Sequence, residues 1–169
     1  VQDSIEGESC IYPVSLYTAE VNAAKQLKRL NQGKLPWGEV DTEKALPWVE
    51  RYTGLVLSDS QQDAIKAVLG SKLAIMTGGP GVGKTTIVKS ILKIIEAKHL
   101  KIALCAPTGR AAKRLSESTQ HEAKTIHRLL EFDMKAFGFK HNQNNLLDID
   151  VLIIDEASMI DIVLLNHLL

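Results

Sequence analysis

The sequence predicts a parallel α/β fold, and three observations carry that prediction. Val151 to Ile154 is four apolar residues in succession, the pattern of a strand buried on both faces. Ile87, Val88, Ile91, Leu92 and Ile95 recur at helical spacing behind a glycine-rich loop. From Lys72 onward, short apolar runs alternate with helical stripes, as expected of strands joined by crossover helices.

Taken in order, Ile11 to Leu16 reads as a short strand. Ala19 to Leu30 reads as a helix, with Ala23, Leu27 and Leu30 at helical spacing. Gly33, Pro36 and Gly38 break it. Ala45 to Tyr52 is a second short helix, ended by Gly54. Residues 1–54 are expected to be the tail of an upstream domain and a linker, and residues 55–169 the α/β domain itself. Within the latter, Ser58 is a good N-cap and Gln61 completes a capping box, ahead of the stripe Ile65, Val68 and Leu69. Lys72 to Met76 is a strand candidate, then come the loop and helix already named. Lys101 to Cys105 is the next strand, and Gly109 to Leu115 and Ile126 to Leu130 are short helices. Phe137 to Asn145 is polar and loop-like, Val151 to Ile154 is a strand, and Met159 to Leu169 is a closing helix.

The chain has 169 residues, 45% of them hydrophobic, enough for one packed domain with a small flanking segment. No apolar run is long enough to span a bilayer. Val1 to Cys10 has no basic stretch of the signal-peptide kind, and with no initiator Met the chain reads as cut from a longer protein. Cys10 and Cys105 are too few for a disulfide scaffold, and a reducing cytoplasm suits them. Cys105 sits inside an apolar run and is expected to be buried in a strand. The net charge is zero, but residues 98–140 carry nine Lys or Arg against four Asp or Glu, while residues 148–169 carry five acids and no Lys or Arg. A basic middle before an acidic end suits an anion-binding surface beside a carboxylate site; ordinary solvated faces give the same counts. Trp37 and Trp48 are expected to pack rather than stack on bases. His99, His121 and His141 have no metal-like spacing.

Gly78-Gly79-Pro80-Gly81-Val82-Gly83-Lys84-Thr85 matches the phosphate-binding pattern G-x-x-x-x-G-K-[ST] in full. Glycines let consecutive N–H groups face one phosphate, and the helix behind aims its positive end at the same anion. Lys84 is placed for the β and γ phosphates and Thr85 for Mg²⁺, with Thr86 beside it. The run Val151 to Ile154 ends in Asp155-Glu156. In a parallel sheet these carboxylates emerge on the same edge as the loop, Asp155 to hold Mg²⁺ and Glu156 to polarise the attacking water.

Five segments together resemble the RecD-like superfamily 1 helicases, the exonuclease V alpha-subunit and TraA group. They are Leu57 to Ala64, the phosphate loop, Ala106 to Leu115, Thr125 to Leu130, and Asp155-Glu156-Ala157-Ser158-Met159. The resemblance runs from Leu55 to the end and implies a RecA-like P-loop NTPase domain using ATP and Mg²⁺. It implies that Gln61 contacts adenine, although Gln61 is also the capping partner of Ser58. It implies that Gln61, Gly79, Pro80, Gly81, Val82, Gly83, Lys84, Thr85 and Thr86 hold the nucleotide, and that Lys84, Asp155 and Glu156 are catalytic. It implies that Pro107, Thr108, Gly109, Arg110, Lys113 and Thr125 grip single-stranded DNA. Arg114 adds charge there, and His127 reads as structural. Motors of this family continue past this point into a second RecA-like domain that carries arginine fingers. This chain is therefore expected to hydrolyse ATP barely, and to self-associate through exposed sheet edges.

Three functions compete. A DNA-translocating motor, 5′ to 3′ by resemblance and with nuclease-complex subunits as further partners, fits the basic 98–140 segment and the Thr125 to Leu130 stretch. A P-loop NTPase or kinase without nucleic acid fits the loop and Asp155-Glu156 alone. A non-catalytic sensing module does not require Lys84, Thr85, Asp155 and Glu156 together.

Overall fold

The computed structural model describes residues 1–79, 81–135 and 138–169. A three-stranded parallel sheet forms the centre, in the order β4 (Ala123–Thr125), β3 (Ile102–Ala106), β7 (Val151–Ile154). Leu104 pairs with Ala123 on one side and with Ile153 on the other, so all three strands run the same way. The period-2 rule sorts their side chains into two layers. Leu104 and Ile153 face a cluster with Leu92 and Leu115, from α4 (Lys84–Glu96) and α5 (Gly109–Thr119). Cys105, Leu152 and Ile154 face a cluster with Ile126, Leu130 and Leu164, from α6 (Ile126–Leu129) and its end, and from α7 (Ile162–Leu168). Helices therefore cover both faces, as the sequence predicts for a parallel α/β domain.

α4 is buried on more than one side: Ile87, Ile91, Ile94 and Ile95 pack with Leu46 and Val49 of α2 (Thr42–Thr53) and with Leu57, Ile65 and Leu69 around α3 (Asp59–Leu69). Burying each such side chain contributes about 1.5–3 kcal/mol. α2 thus shares one core with α3 and α4. It starts earlier than its apolar pattern suggests because Asp41 caps it by accepting from the Lys44 N–H. The capping box forecast for α3 has both halves: the Ser58 hydroxyl accepts from Gln61 N–H, and the Gln61 side chain accepts from Ser58 N–H. Trp37 packs as expected, donating its ring N–H to the Leu69 carbonyl at 3.0 Å.

Several elements differ from expectation. The first strands are β1 (Gln2–Ile5) and β2 (Glu8–Ile11), an exposed antiparallel hairpin around Glu6 and Gly7, both at positive φ. The strand expected over Ile11 to Leu16 is cut at Pro13, whose fixed φ opens α1 (Val14–Asn31). α1 lies against α7, and its buried residues are Ala19 and Ala23, one turn apart and small enough for close approach. β7 is half-buried along its length, not fully buried. Met159 belongs to a short 3₁₀ turn, and α7 begins only after Asp161, whose carboxylate caps it. Part of the expected loop after Phe137, a residue outside those described, is β6 (Gly138–Phe139), paired with β5 (Phe132–Asp133).

The largest difference is Lys72 to Met76, which is not a strand. Strands persist by pairing, and among the described residues β7 pairs only with β3, so no strand is available beside this segment. Ile75 is consequently 82% exposed, although Met76 still packs against the α3–α4 core.

Candidate nucleotide and nucleic-acid site

Among the described helices α1 and α4 begin without a side-chain cap, α1 behind Pro13 and α4 behind a glycine at positive φ within the phosphate-loop motif, and that glycine start marks the site. α2, α3, α5, α6 and α7 each have a side chain accepting from a first-turn N–H, from Asp41, Ser58, Thr108, Thr125 and Asp161 respectively. α4 has Gly83 at that position, no side-chain cap and no acid in its first turn. Its leading N–H groups and its dipole are left for an external anion. The donor set therefore fits a phosphate chain.

Gly81 and Gly83 hold φ of 79° and 84°, which turns the loop back on itself. A Cβ on Gly83 would lie 2.3 Å from the Gln61 amide nitrogen. Gln61 spends both ends of its amide locally: its oxygen accepts from Ser58 N–H at 3.0 Å, and its nitrogen donates to the Val82 carbonyl at 3.4 Å. Helix cap and phosphate loop are therefore joined through one side chain. The Lys84 ammonium donates to the carbonyls of Gly78 and Gly79, at 2.6 and 2.7 Å. Gly79, Gly81, Val82 and Thr85 are exposed, and Thr86 is half-buried. Pro80 lies outside the described residues.

The carboxyl ends of the three parallel strands form the second part of the site. Asp155 continues the sheet ladder by donating its N–H to the Cys105 carbonyl, and its carboxylate accepts from Glu156 N–H at 2.9 Å. Glu156 follows at φ 52°, left-handed backbone that costs a side-chain-bearing residue about 1–2 kcal/mol. Both carboxylates are exposed. Thr125 pairs with Ala106 across the β3–β4 ladder, and Thr108 follows just beyond. Their hydroxyls accept from Arg128 N–H and Ala111 N–H, both at 3.2 Å. Each hydroxyl thus caps a helix while keeping its own proton to donate outward.

Pro107 is half-buried, and Gly109 and Arg110 are exposed at the start of α5. Lys113 reaches Glu117 at 3.8 Å, with both side chains mostly exposed, so little of its charge is spent. Arg110 and Arg114 have no ion pair among the described residues. Thr108, Thr125, Asp155 and Glu156 thus share one sheet edge, while Gln61 and Lys84 gather at the loop. Among the described residues no group of three or more His, Cys, Asp or Glu forms a metal cluster. The residues available to Mg²⁺ are Thr85 and Asp155, a hydroxyl and a carboxylate of the hard-oxygen kind that ion takes.

Two features escaped the sequence. His127 contacts the Phe139 ring at 5.7 Å and the Phe132 ring at 6.0 Å, and Phe139 in turn meets His167. The aromatics at 132 and 139 were a visible signal, but their pairing across β5–β6 was not. The second is a bridge from α4 to the end of α5: Glu96 accepts from Lys93 at 2.9 Å and meets His121 Nε2, while His121 Nδ1 lies 2.8 Å from the Thr119 carbonyl. Both ring nitrogens of His121 therefore have an oxygen partner. Burial opposes the Glu96 charge, but its bonds from Lys93 and His121 prevail and hold its carboxyl below the ordinary range.

Among the described residues no helix is long and apolar enough to cross a membrane. The chain is similar to the ATP-dependent RecD2 DNA helicase of Deinococcus radiodurans, 37% identical over 163 residues, 96% of this chain and 22% of that protein. It is also similar to the RecBCD enzyme subunit RecD of Buchnera aphidicola subsp. Schizaphis graminum, 37% identical over 183 residues, 94% of this chain and 29% of that protein. A third relative is the RecBCD enzyme subunit RecD of Mycolicibacterium smegmatis, 36% identical over 149 residues, 74% of this chain and 27% of that protein. The chain therefore spans 22–29% of the length of these curated relatives. The RecD likeness read from the motifs is matched by these proteins. The AAA domain family matches residues 61–169, a stretch that opens at Gln61 and carries the phosphate loop, the sheet and α7, and this chain belongs to that family.

Proposed function

We propose that this chain is the ATP-binding part of an ATP-dependent DNA helicase or translocase, moving 5′ to 3′ on single-stranded DNA in recombination and repair. The observation that carries the reading is the start of α4, uncapped, free of acids and wrapped by glycines at positive φ. The RecD and RecD2 names of the relatives supply the DNA side of the proposal. On this reading residues 55–169 are the first RecA-like motor domain and residues 1–54 the segment leading into it. The parent protein works in the cytoplasm, with further nuclease-complex subunits as partners.

The roles follow from the chemistry. Gln61 reads the adenine, and residues 79–86 hold the phosphates. Lys84 exchanges two neutral carbonyls for phosphate oxygens, which are stronger, charged acceptors. Thr85 and Asp155 are the residues that would hold Mg²⁺, which supplies charge neutralisation at the β and γ phosphates. Glu156 polarises the attacking water. Pro107, Thr108, Gly109, Arg110, Lys113 and Thr125 contact the DNA backbone, where hydroxyls and N–H groups position a strand without reading its sequence.

The test is ATP hydrolysis by the full-length protein with and without oligothymidylate. Stimulation by the strand, lost in Lys84→Ala and in Glu156→Gln, is the expected result. Hydrolysis indifferent to DNA would replace this reading with a P-loop NTPase or kinase that does not act on nucleic acid.

A further inference from the structure

Two helices that begin at the site are bound together again at their far ends. α4 starts at the phosphate loop and α5 starts just past Thr108, and both pack on the sheet face that carries Leu104 and Ile153. Between them Leu92 and Leu115 make an apolar contact, which is non-directional and does not fix how far one helix slides along the other. The far ends are bonded instead. Glu96, the last residue of α4, meets His121 Nε2, and His121 stands in the link between α5 and β4. That link is held from within: the His121 N–H donates to the Thr119 hydroxyl at 3.3 Å, and that hydroxyl donates to the Leu115 carbonyl at 2.6 Å. At the start of β4 the Ala123 N–H donates to the Ser116 hydroxyl at 2.8 Å. Lys93 bonds the other carboxylate oxygen of Glu96 and lies 5.7 Å from the ring of Tyr52 on α2. Tyr52 in turn stacks on Trp48, which is 36% exposed rather than packed as expected. Among the described residues, only the two ion pairs on Glu96 have neither side chain more than 36% exposed, so solvent and salt screen them less than the rest.

We propose that Glu96 and His121 are positioning residues that couple the nucleotide site to the strand site, an inference that rests on the DNA-motor reading above. Phosphates bind at the first N–H groups of α4, and its 13 residues place Glu96 about 18 Å further along the helix. A helix of that length moves as a rod, so a shift at its start reaches Glu96. β4 runs back from the clasp to Thr125 and is lightly held: it has three residues and pairs only with β3 among the described residues. The clasp therefore carries a displacement of α4 into β4 and on to the Thr125 hydroxyl, where a strand phosphate is held. Without it α4 slides against Leu115 while β4 stays with β3. Such coupling is reciprocal: the strand changes nucleotide affinity by the same factor as nucleotide changes strand affinity. A pair that served stability alone would lower the melting temperature and leave that factor as it is.

The experiment measures that factor in the full-length protein, as the ratio of affinities for a fluorescent, non-hydrolysable ATP analogue with Mg²⁺, with and without saturating oligothymidylate. The parent is expected to show a ratio of about fivefold or more. Glu96→Ala and His121→Ala bring it to within about twofold of one, while the affinity for the analogue alone and for oligothymidylate alone each stays within about threefold of the parent. The double variant is no worse than either single one, because there is one clasp to lose. Glu96→Gln, which leaves His121 Nε2 an oxygen partner, keeps the ratio closer to the parent than to one. Trp37→Phe, which loses the bond to the Leu69 carbonyl and does not touch the clasp, leaves the ratio unchanged. A ratio unaltered in the clasp variants, a ratio that Trp37→Phe abolishes as well, or loss of either separate affinity in the clasp variants overturns the proposal. A parent ratio of one also overturns it: if oligothymidylate still binds, the DNA-motor reading survives alone, and if it does not, both fall.

Discussion

Gly83 carries two constraints at once, a φ of 84° and a Gln61 amide nitrogen 2.3 Å from where a Cβ would stand. Gly83→Ala must therefore bear about 1–2 kcal/mol of backbone strain and expel Gln61, which breaks its bonds to both Ser58 and Val82. The expected outcome is at least a tenfold loss of affinity for a fluorescent ATP analogue, equal to about 1.4 kcal/mol or more, together with a lowered melting temperature. Lys84→Ala, by contrast, removes a charge that only neutral carbonyls hold, and is expected to lose affinity while melting like the parent. Equal melting of both variants would show that Gln61 does not brace the loop. The glycine pattern was legible in the sequence because the phosphate-loop motif is local. The second duty of Gly83 was not, since Gln61 approaches it from another helix. Cys105 was legible for a similar reason: its apolar run marks a strand, and burial pushes its thiol up to about 12.

At the scale of elements, legibility follows the range of the interactions that make each one. α3 and α4 were readable because a capping box and a helical stripe are written within a few residues. β4 was missed because three residues carry no periodicity, and it exists only through its ladder to β3. The bridge between α4 and the end of α5 was invisible for the same reason, and it makes a measurable prediction. Glu96 has a folded pKa below its ordinary value. A depressed carboxyl contributes stability that is present above the unfolded pKa and disappears as pH falls through the folded one. Glu96→Gln should therefore lower the melting temperature near pH 7, and the gap between variant and parent should close as pH falls below the ordinary carboxylate range. Because Glu96 is partly exposed, the gap is small and shrinks in high salt. A gap unchanged across that pH range would mean that the Lys93 and His121 contacts do not hold Glu96 charged.

Across the whole molecule, the sheet and the loop that serves it have opposite degrees of anchorage. β3 is paired on both sides and packed on both faces, with Leu104, Cys105 and Ala106 almost fully buried. Residues 72–79 have no backbone N–H bond to another backbone group among the described residues, and the stretch leads directly into the phosphate loop. Local opening free energies track such differences, from near zero for unpaired backbone to the global value for a central strand. Hydrogen exchange should consequently find the amides of β3 among the slowest in the chain and those of 72–79 among the fastest. Nucleotide with Mg²⁺ should then slow exchange in 81–86 first, because the N–H groups at the start of α4 are left without a side-chain cap inside the phosphate loop. If nucleotide instead slowed β3 and left 81–86 unchanged, the phosphates would be binding elsewhere, and the uncapped start of α4 would lose its role. If 72–79 exchanged as slowly as β3 without nucleotide, that segment would be paired in solution, and its exposure at Ile75 would have to be covered by another strand.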